Sequence, residues 1–184
     1  MKWMSILLLS LFSLLAYSQE VTQYDVKPGC SEDFVKISDG FLDWCLDVGS
    51  LQGARIVSDD GVMIFWSKKK HMSIKTHTSK SWGKGDSDMT RVPTALLMND
   101  YAEIDDPRLK DDLAALYKVL YDDTGYRETG VVNNGYKSVS IIFGRSVSYV
   151  FVTNAKNKSY LTQISVYGMS KEEILSKVIK GVLL

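Results

Sequence analysis

Histidine and cysteine are the scarcest functional residues in this chain, with two of each in 184 residues. Neither H-E-x-x-H nor a clustered Cys/His spacing occurs, which excludes the usual zinc sites. The two histidines, His71 and His77, lie in "HMSIKTH". On a strand they share a face about 20 Å apart, at ~3.3 Å per residue, too far for one metal ion. A solvated strand face is their ordinary role. Gly-x-Ser-x-Gly is absent, so no nucleophile elbow is expected. The glycines of "WGKGDS" lack the Lys-Ser/Thr ending of a phosphate loop. Asp86 and Asp88 open like a calcium loop, but no glycine follows at the sixth position. No metal and no cofactor are expected.

Net charge is also missing: 22 basic side chains face 22 acidic ones. Overall charge therefore names no partner, and nucleic acid is not one that this balance calls for. No repeat of 20 to 50 residues and no low-complexity tract is present. Beyond the first 16 residues no stretch is apolar enough to span a bilayer.

That first stretch, "MKWMSILLLSLFSLLAYSQE", carries one positive charge at Lys2, an uncharged run from Met4 to Ala16, and Ala16-Tyr17-Ser18 with small residues at the cleavage positions. It reads as a secretory signal peptide, residues 1–18. Residues 19–184 then form one exported domain, periplasmic or secreted, of ordinary single-domain size. With Lys2 removed its net charge is −1.

An exported chain meets an oxidising compartment, where two cysteines usually pair. Cys30 and Cys45 bracket "SEDFVKISDGFLDW", in which Ser31 is a helix N-cap and Phe34, Ile37, Phe41 and Trp44 recur at a helical spacing that continues to Val48. A continuous helix would hold the Cα atoms roughly 22 Å apart, whereas a disulfide needs them within about 7 Å. The expectation is two short antiparallel helices broken at Ser38-Asp39-Gly40, with a Cys30–Cys45 bond; the alternative is a straight helix with free thiols. Either way the 14-residue gap makes a staple and not a redox motif.

Further along, "ARIVSDDGVMIFWS" signals a hairpin about Asp59-Asp60-Gly61, and "HMSIKTHT" adds a third strand. "SKSWGKGDSDMTR" reads as an exposed loop. "DDPRLKDDLAALYKVLYDDTGY" reads as a helix, with Asp106 as its cap, Pro107 in its first turn and Leu109, Leu113, Leu116 and Leu120 as its apolar stripe. After the turn signal Asn133-Asn134-Gly135 come three strands near 136–143, 146–153 and 159–167, joined too briefly for anything but antiparallel pairing. Ser170 and Glu173 form a capping box ahead of Ile174, Val178 and Val182. The expected fold is α+β: an antiparallel sheet, made of an N-terminal hairpin plus third strand and a C-terminal three-stranded meander, with helices packed on one face.

Charge is segregated along the chain. Residues 67–91 hold Lys68, Lys69, Lys70, Lys75, Lys80, Lys84 and Arg91 against Asp86 and Asp88, a net of +5, and residues 99–128 hold a net of −5. Such blocks are ordinarily solvated faces. The functional alternative is a binding patch of Lys68, Lys69, Lys70 and Lys75 with Trp82 as aromatic anchor, facing a protein or an anionic envelope component. Tyr149, Phe151, Tyr160 and Tyr167 are either sheet core or a ligand-facing aromatic surface. The expected function is a small exported soluble binding module, of inhibitor, immunity or accessory envelope type. The competing expectations are a hydrolase of envelope polymers using carboxylates or a histidine, and a carrier with an apolar cavity near Phe143, Phe151 and Tyr167.

Overall fold

The structure is a computed structural model that describes residues 21–30, 32–38, 41–82, 85–124 and 128–183. The expected signal peptide lies outside the described residues, as do Ser31, Asp39-Gly40 and Lys84.

The described residues form ten strands: β1 (Val21–Gln23), β2 (Phe34–Ser38), β3 (Asp43–Asp47), β4 (Arg55–Asp59), β5 (Gly61–Phe65), β6 (His71–Thr78), β7 (Glu128–Asn134), β8 (Lys137–Phe143), β9 (Val147–Asn154) and β10 (Asn157–Tyr167). Eight of them form one sheet in the order β1-β7-β8-β9-β10-β6-β5-β4, antiparallel throughout except for the β1/β7 pair. The Asp-Gly hairpin and the third strand are β4, β5 and β6. The meander has four strands and not three, because "ETGVVNN" pairs along its full length with β8 before turning at Gly135. The long pairing of β10 with β6 welds the two groups into a single sheet.

Phe34–Ser38 and Asp43–Asp47 correct the helical expectation: they pair as the antiparallel strands β2 and β3, in which Phe34 opposes Asp47 and Ser38 opposes Asp43. The chain reverses between Ser38 and Asp43, the expected turn residues Asp39 and Gly40 lying outside the described residues, and Cys30 and Cys45 are bonded with Cα atoms 6.2 Å apart. The deciding feature is a period of two in Leu42, Trp44 and Leu46, all buried, while Phe34, Phe41 and Val48 of the supposed helical stripe are exposed.

Helices do not pack on one face only, which corrects the second expectation. Call the first face the one carrying Ile64, Ile74, Ile141, Val150 and Ile164; it is covered by the β2–β3 hairpin and by the C-terminal helix. That helix, α4, runs through an α turn Lys171–Glu173, a π segment Ile174–Ile179 and a last turn Lys180–Val182, and the Ser170–Glu173 capping box is formed. The wider π turn brings Val178 and Ile179 together into the core beside Ile174 and Val182. The second face carries Ile142, Tyr149, Phe151 and Leu161 and lies under α2 (Val92–Met98) and α3 (Pro107–Thr124). Both faces of the meander strands must therefore be apolar, and their burial is nearly continuous, as in a sheet covered twice.

Two glycines mark where backbones meet. A Cβ on Gly181 of α4 would fall 1.9 Å from the Cys45 carbonyl oxygen, so the helix rests directly on β3. Gly168 has φ +65, and a Cβ there would fall 2.2 Å from the Lys69 carbonyl oxygen. No helix among the described residues is long and apolar enough to cross a membrane.

Candidate functional site on the open half of the sheet

α2 and α3 cover the second face over β8, β9 and β10 but stop short of β4, β5 and most of β6. Strand alternation sends Arg55, Val57, Phe65, His71, Ser73, Lys75 and His77 to this uncovered part. Register then lines up one row across four strands: Arg55 opposes Phe65, Phe65 opposes His71, and His71 opposes Tyr167. The row is in contact along its length. The Arg55 guanidinium lies 5.3 Å from the Phe65 ring centre, Phe65 and His71 stack at 5.5 Å, and His71 and Tyr167 stack at 4.3 Å.

At the far end of β6 a second stack forms. The short helix α1 (Ser79–Trp82) folds the chain back, held by Ser81 Oγ donating to the Thr78 carbonyl at 2.9 Å, and lays Trp82 on His77 at 4.7 Å. Burial pushes the His77 pKa below the usual histidine range, partly offset by its bond with Gln163. Buried His71 Nδ1 and His77 Nε2 have no hydrogen-bond partner among the described residues. Between the two stacks the surface is polar on β6 and β10, with Ser73, Lys75, Gln163 and Ser165, and apolar toward the edge, with Met63 and Val57.

The expected binding residues are spread along this region and are not gathered into one patch. Lys68, Lys69 and Lys70 sit in the β5–β6 turn, about 25 Å along β6 from Trp82 at ~3.3 Å per residue. That turn is tightly held: the Lys70 carbonyl accepts from Trp66 and Ser67, the Ser67 hydroxyl accepts from Lys69 and Lys70, and Trp66 Nε1 donates to the Ser50 carbonyl. Lys70 is ion-paired with Glu173 at 2.5 Å, and Lys75 with Asp60. Lys68 and Lys69 are exposed at the mouth of the turn. Arg91 turns toward Asp88 and Asp105, so part of the +5 block is balanced within the fold. The expected loop 79–91 is not featureless: it holds α1 and a 3-10 turn at Met89–Arg91, with Met89 fully buried.

Sequence reasoning missed Arg55 and Phe65. Strand parity about the Asp-Gly turn would have placed both on the His71 side, but their alignment with Tyr167 depends on a register between residues nearly one hundred positions apart. Of the four aromatics weighed earlier, Tyr149 and Phe151 are buried beneath the helices, and Tyr167 joins the open row. Phe143 and Phe151 lie on opposite faces in separate cores, so they do not line one cavity.

Two clefts lie away from this face. One, of 280 Å³, lies between the β2–β3 hairpin and the sheet and is lined by Phe41, Tyr136, Lys137 and Tyr160. Lys137 is buried, its pKa pushed down by burial, and its ammonium donates to the Val182 carbonyl at 3.2 Å while Asn134 donates to Leu183. These bonds satisfy the carbonyls at the end of α4. The other cleft, of 670 Å³, is acidic and includes Asp86, Asp88 and Asp106. Lys158 pairs with Asp88, and no group of three potential metal ligands converges among the described residues. Neither histidine lines either cleft.

No family model matches the chain, and no curated protein matches its sequence.

Proposed function

We propose that this chain is a small exported binding module that recognises a protein or an anionic envelope component through the open half of its sheet. The observation that carries the reading is the contiguous Arg55-Phe65-His71-Tyr167 row on a sheet face that the helices leave uncovered. Stacked, rotamer-poor side chains supply contact area at little entropic cost, and polar groups beside them set orientation. Lys68 and Lys69 at one end of β6 and Trp82 at the other frame that surface and favour an anionic partner. The Cys30–Cys45 disulfide fits an oxidising compartment, in line with export.

The test is a crosslinked affinity capture from the extracytoplasmic fractions of the native organism, run with the tagged mature protein and with two variants. Phe65→Ala interrupts the row, and Lys68→Gln with Lys69→Gln removes the unpaired charge while leaving the Lys70–Glu173 bridge intact. The expected result is one enriched partner, weakened by both variants, with the lysine variant showing a shallower salt dependence. A partner held equally by all three proteins at every salt concentration would place recognition elsewhere on the molecule.

A further inference from the structure

The free edge of the sheet, β4, points to a second copy of this chain. Native sheets blunt their edges with prolines, bulges, inward charges or covering segments. Among the described residues β4 has no proline, bulge or covering segment, and its charges are confined to its two ends, Arg55 and Asp59. All five of its residues are exposed, among the described residues it pairs only with β5 and without a register shift, and it carries Ile56 and Val57, 47% and 39% exposed, at its centre. Met63, beside Val57 on the same face, is also exposed. The opposite edge is the short strand β1, three residues long.

The sequence of the edge is "RIVSD", and its charges are complementary to themselves in one arrangement only. An antiparallel pairing about a two-fold axis at Val57 sets Arg55 opposite Asp59 of the second copy, and Asp59 opposite its Arg55. A parallel pairing in register would oppose like charges. Arg55 and Asp59 lie on the same face as Val57, so the two ion pairs would flank an apolar centre. Neither residue makes an ion pair among the described residues.

We infer that the protein self-associates as a two-fold dimer through antiparallel β4–β4 pairing centred on Val57, which joins the two sheets into one. The isologous geometry closes on itself and uses up both exposed edges. The two proposals share Arg55, which stands at the edge end of the open row, but they are tested separately: self-association is read on the purified protein alone, and partner capture on Phe65→Ala and the Lys68/Lys69 variant.

Sedimentation of the mature protein over a concentration series up to about 1 mM tests association, because a short strand interface falls at the weak end of the affinity range. Asp59→Arg, which sets like charges against Arg55 twice, is expected to weaken dimerisation about tenfold or more. Arg55→Asp combined with Asp59→Arg is expected to restore it, which separates lost pairing from lost folding. Register is read by oxidative crosslinking. Val57→Cys places two thiols on the axis with Cα atoms about 4.5 to 5.5 Å apart, within disulfide reach. Arg55→Cys places them four residues out of register and is expected not to crosslink. A protein monomeric throughout, a dimer indifferent to Asp59→Arg, or β4 found paired with a strand of a different protein would each overturn the inference.

Discussion

Replacing Gly181 by alanine sets two effects against each other, and the structure says which one wins. Gly181 lies in the last turn of α4, where alanine is favoured over glycine by at most about 1 kcal/mol. Against this, the new methyl would stand 1.9 Å from the Cys45 carbonyl oxygen, where carbon and oxygen normally keep ~3.3 Å or more. The obstacle is backbone, on a strand tied by the disulfide and lying under buried Trp44 and Leu46, so no side chain can swing aside. Helix or strand has to move by more than 1 Å through a packed core, which puts the cost at the upper end of overpacking, about 3 kcal/mol. The expected net is about 2 kcal/mol of destabilisation, or roughly 4 to 8 °C in melting temperature for a chain of this size. Urea denaturation of the oxidised protein measures it. Opening the disulfide frees the Cys45 strand, so the penalty should shrink in reductant. Gly135→Ala is the control, since its φ of +59 carries a backbone cost but nothing lies within 4 Å of a Cβ there. A Gly181→Ala protein as stable as the parent would refute the close packing of α4 on β3.

Three further outcomes are expected. Reducing the Cys30–Cys45 bond, or replacing both cysteines by serine, should cost about 3 kcal/mol for a loop of this length, with reductant having no effect on the double variant. Lys70, with the Ser170 backbone N–H and Lys177 adding to it, holds the Glu173 carboxyl at about 2, below its ordinary 4.5. Because the folded value is the lower one, this stabilisation is complete above pH ~4.5 and lost as pH falls toward 2. Partial exposure limits it to about 1 to 2 kcal/mol, and Lys70→Met should flatten the acid limb of the stability curve. Finally, His77 is held neutral by burial, so protonation belongs below its ordinary 6.5 and the stability it contributes is lost as pH falls through that lower value. Quenching of Trp82 fluorescence should follow with a midpoint below 6.5 and should vanish in Trp82→Phe; a midpoint at or above 6.5 would contradict the burial of the imidazole.

Much of the fold was legible because its signals are local. Asp106 caps α3 at the expected place, with Leu109, Leu113 and Leu120 buried. Ser170 and Glu173 close the capping box of α4, and the Asp-Gly turn joins β4 to β5. Residues 31–47 failed for a physical reason: Phe34, Ile37, Phe41 and Trp44 fit helical spacing, while Leu42, Trp44 and Leu46 fit strand spacing, and short apolar runs satisfy both periods. The surrounding sheet broke the tie by offering a face for the strand pattern to cover. β7 was missed because "ETGVVNN" carries little apolar character and gains its ladder only from β8. In the candidate site, His71, Lys75 and Trp82 were legible as residue types in one segment, whereas their neighbours were not.

What the sequence determined by itself is whatever a few adjacent residues can encode: turns, caps, helix stripes, and two cysteines close enough along the chain to be bonded by a reversal. What only the tertiary structure decided is how distant segments meet. The pairing of β6 with β10 aligned His71 with Tyr167 and completed the open row, and the docking of α4 drew Glu173 to Lys70 and so neutralised part of the basic block. The limits of α2 and α3 left half of one sheet face uncovered. These features depend on register and packing between residues up to a hundred positions apart, where one residue of slip would turn every side chain to the other face.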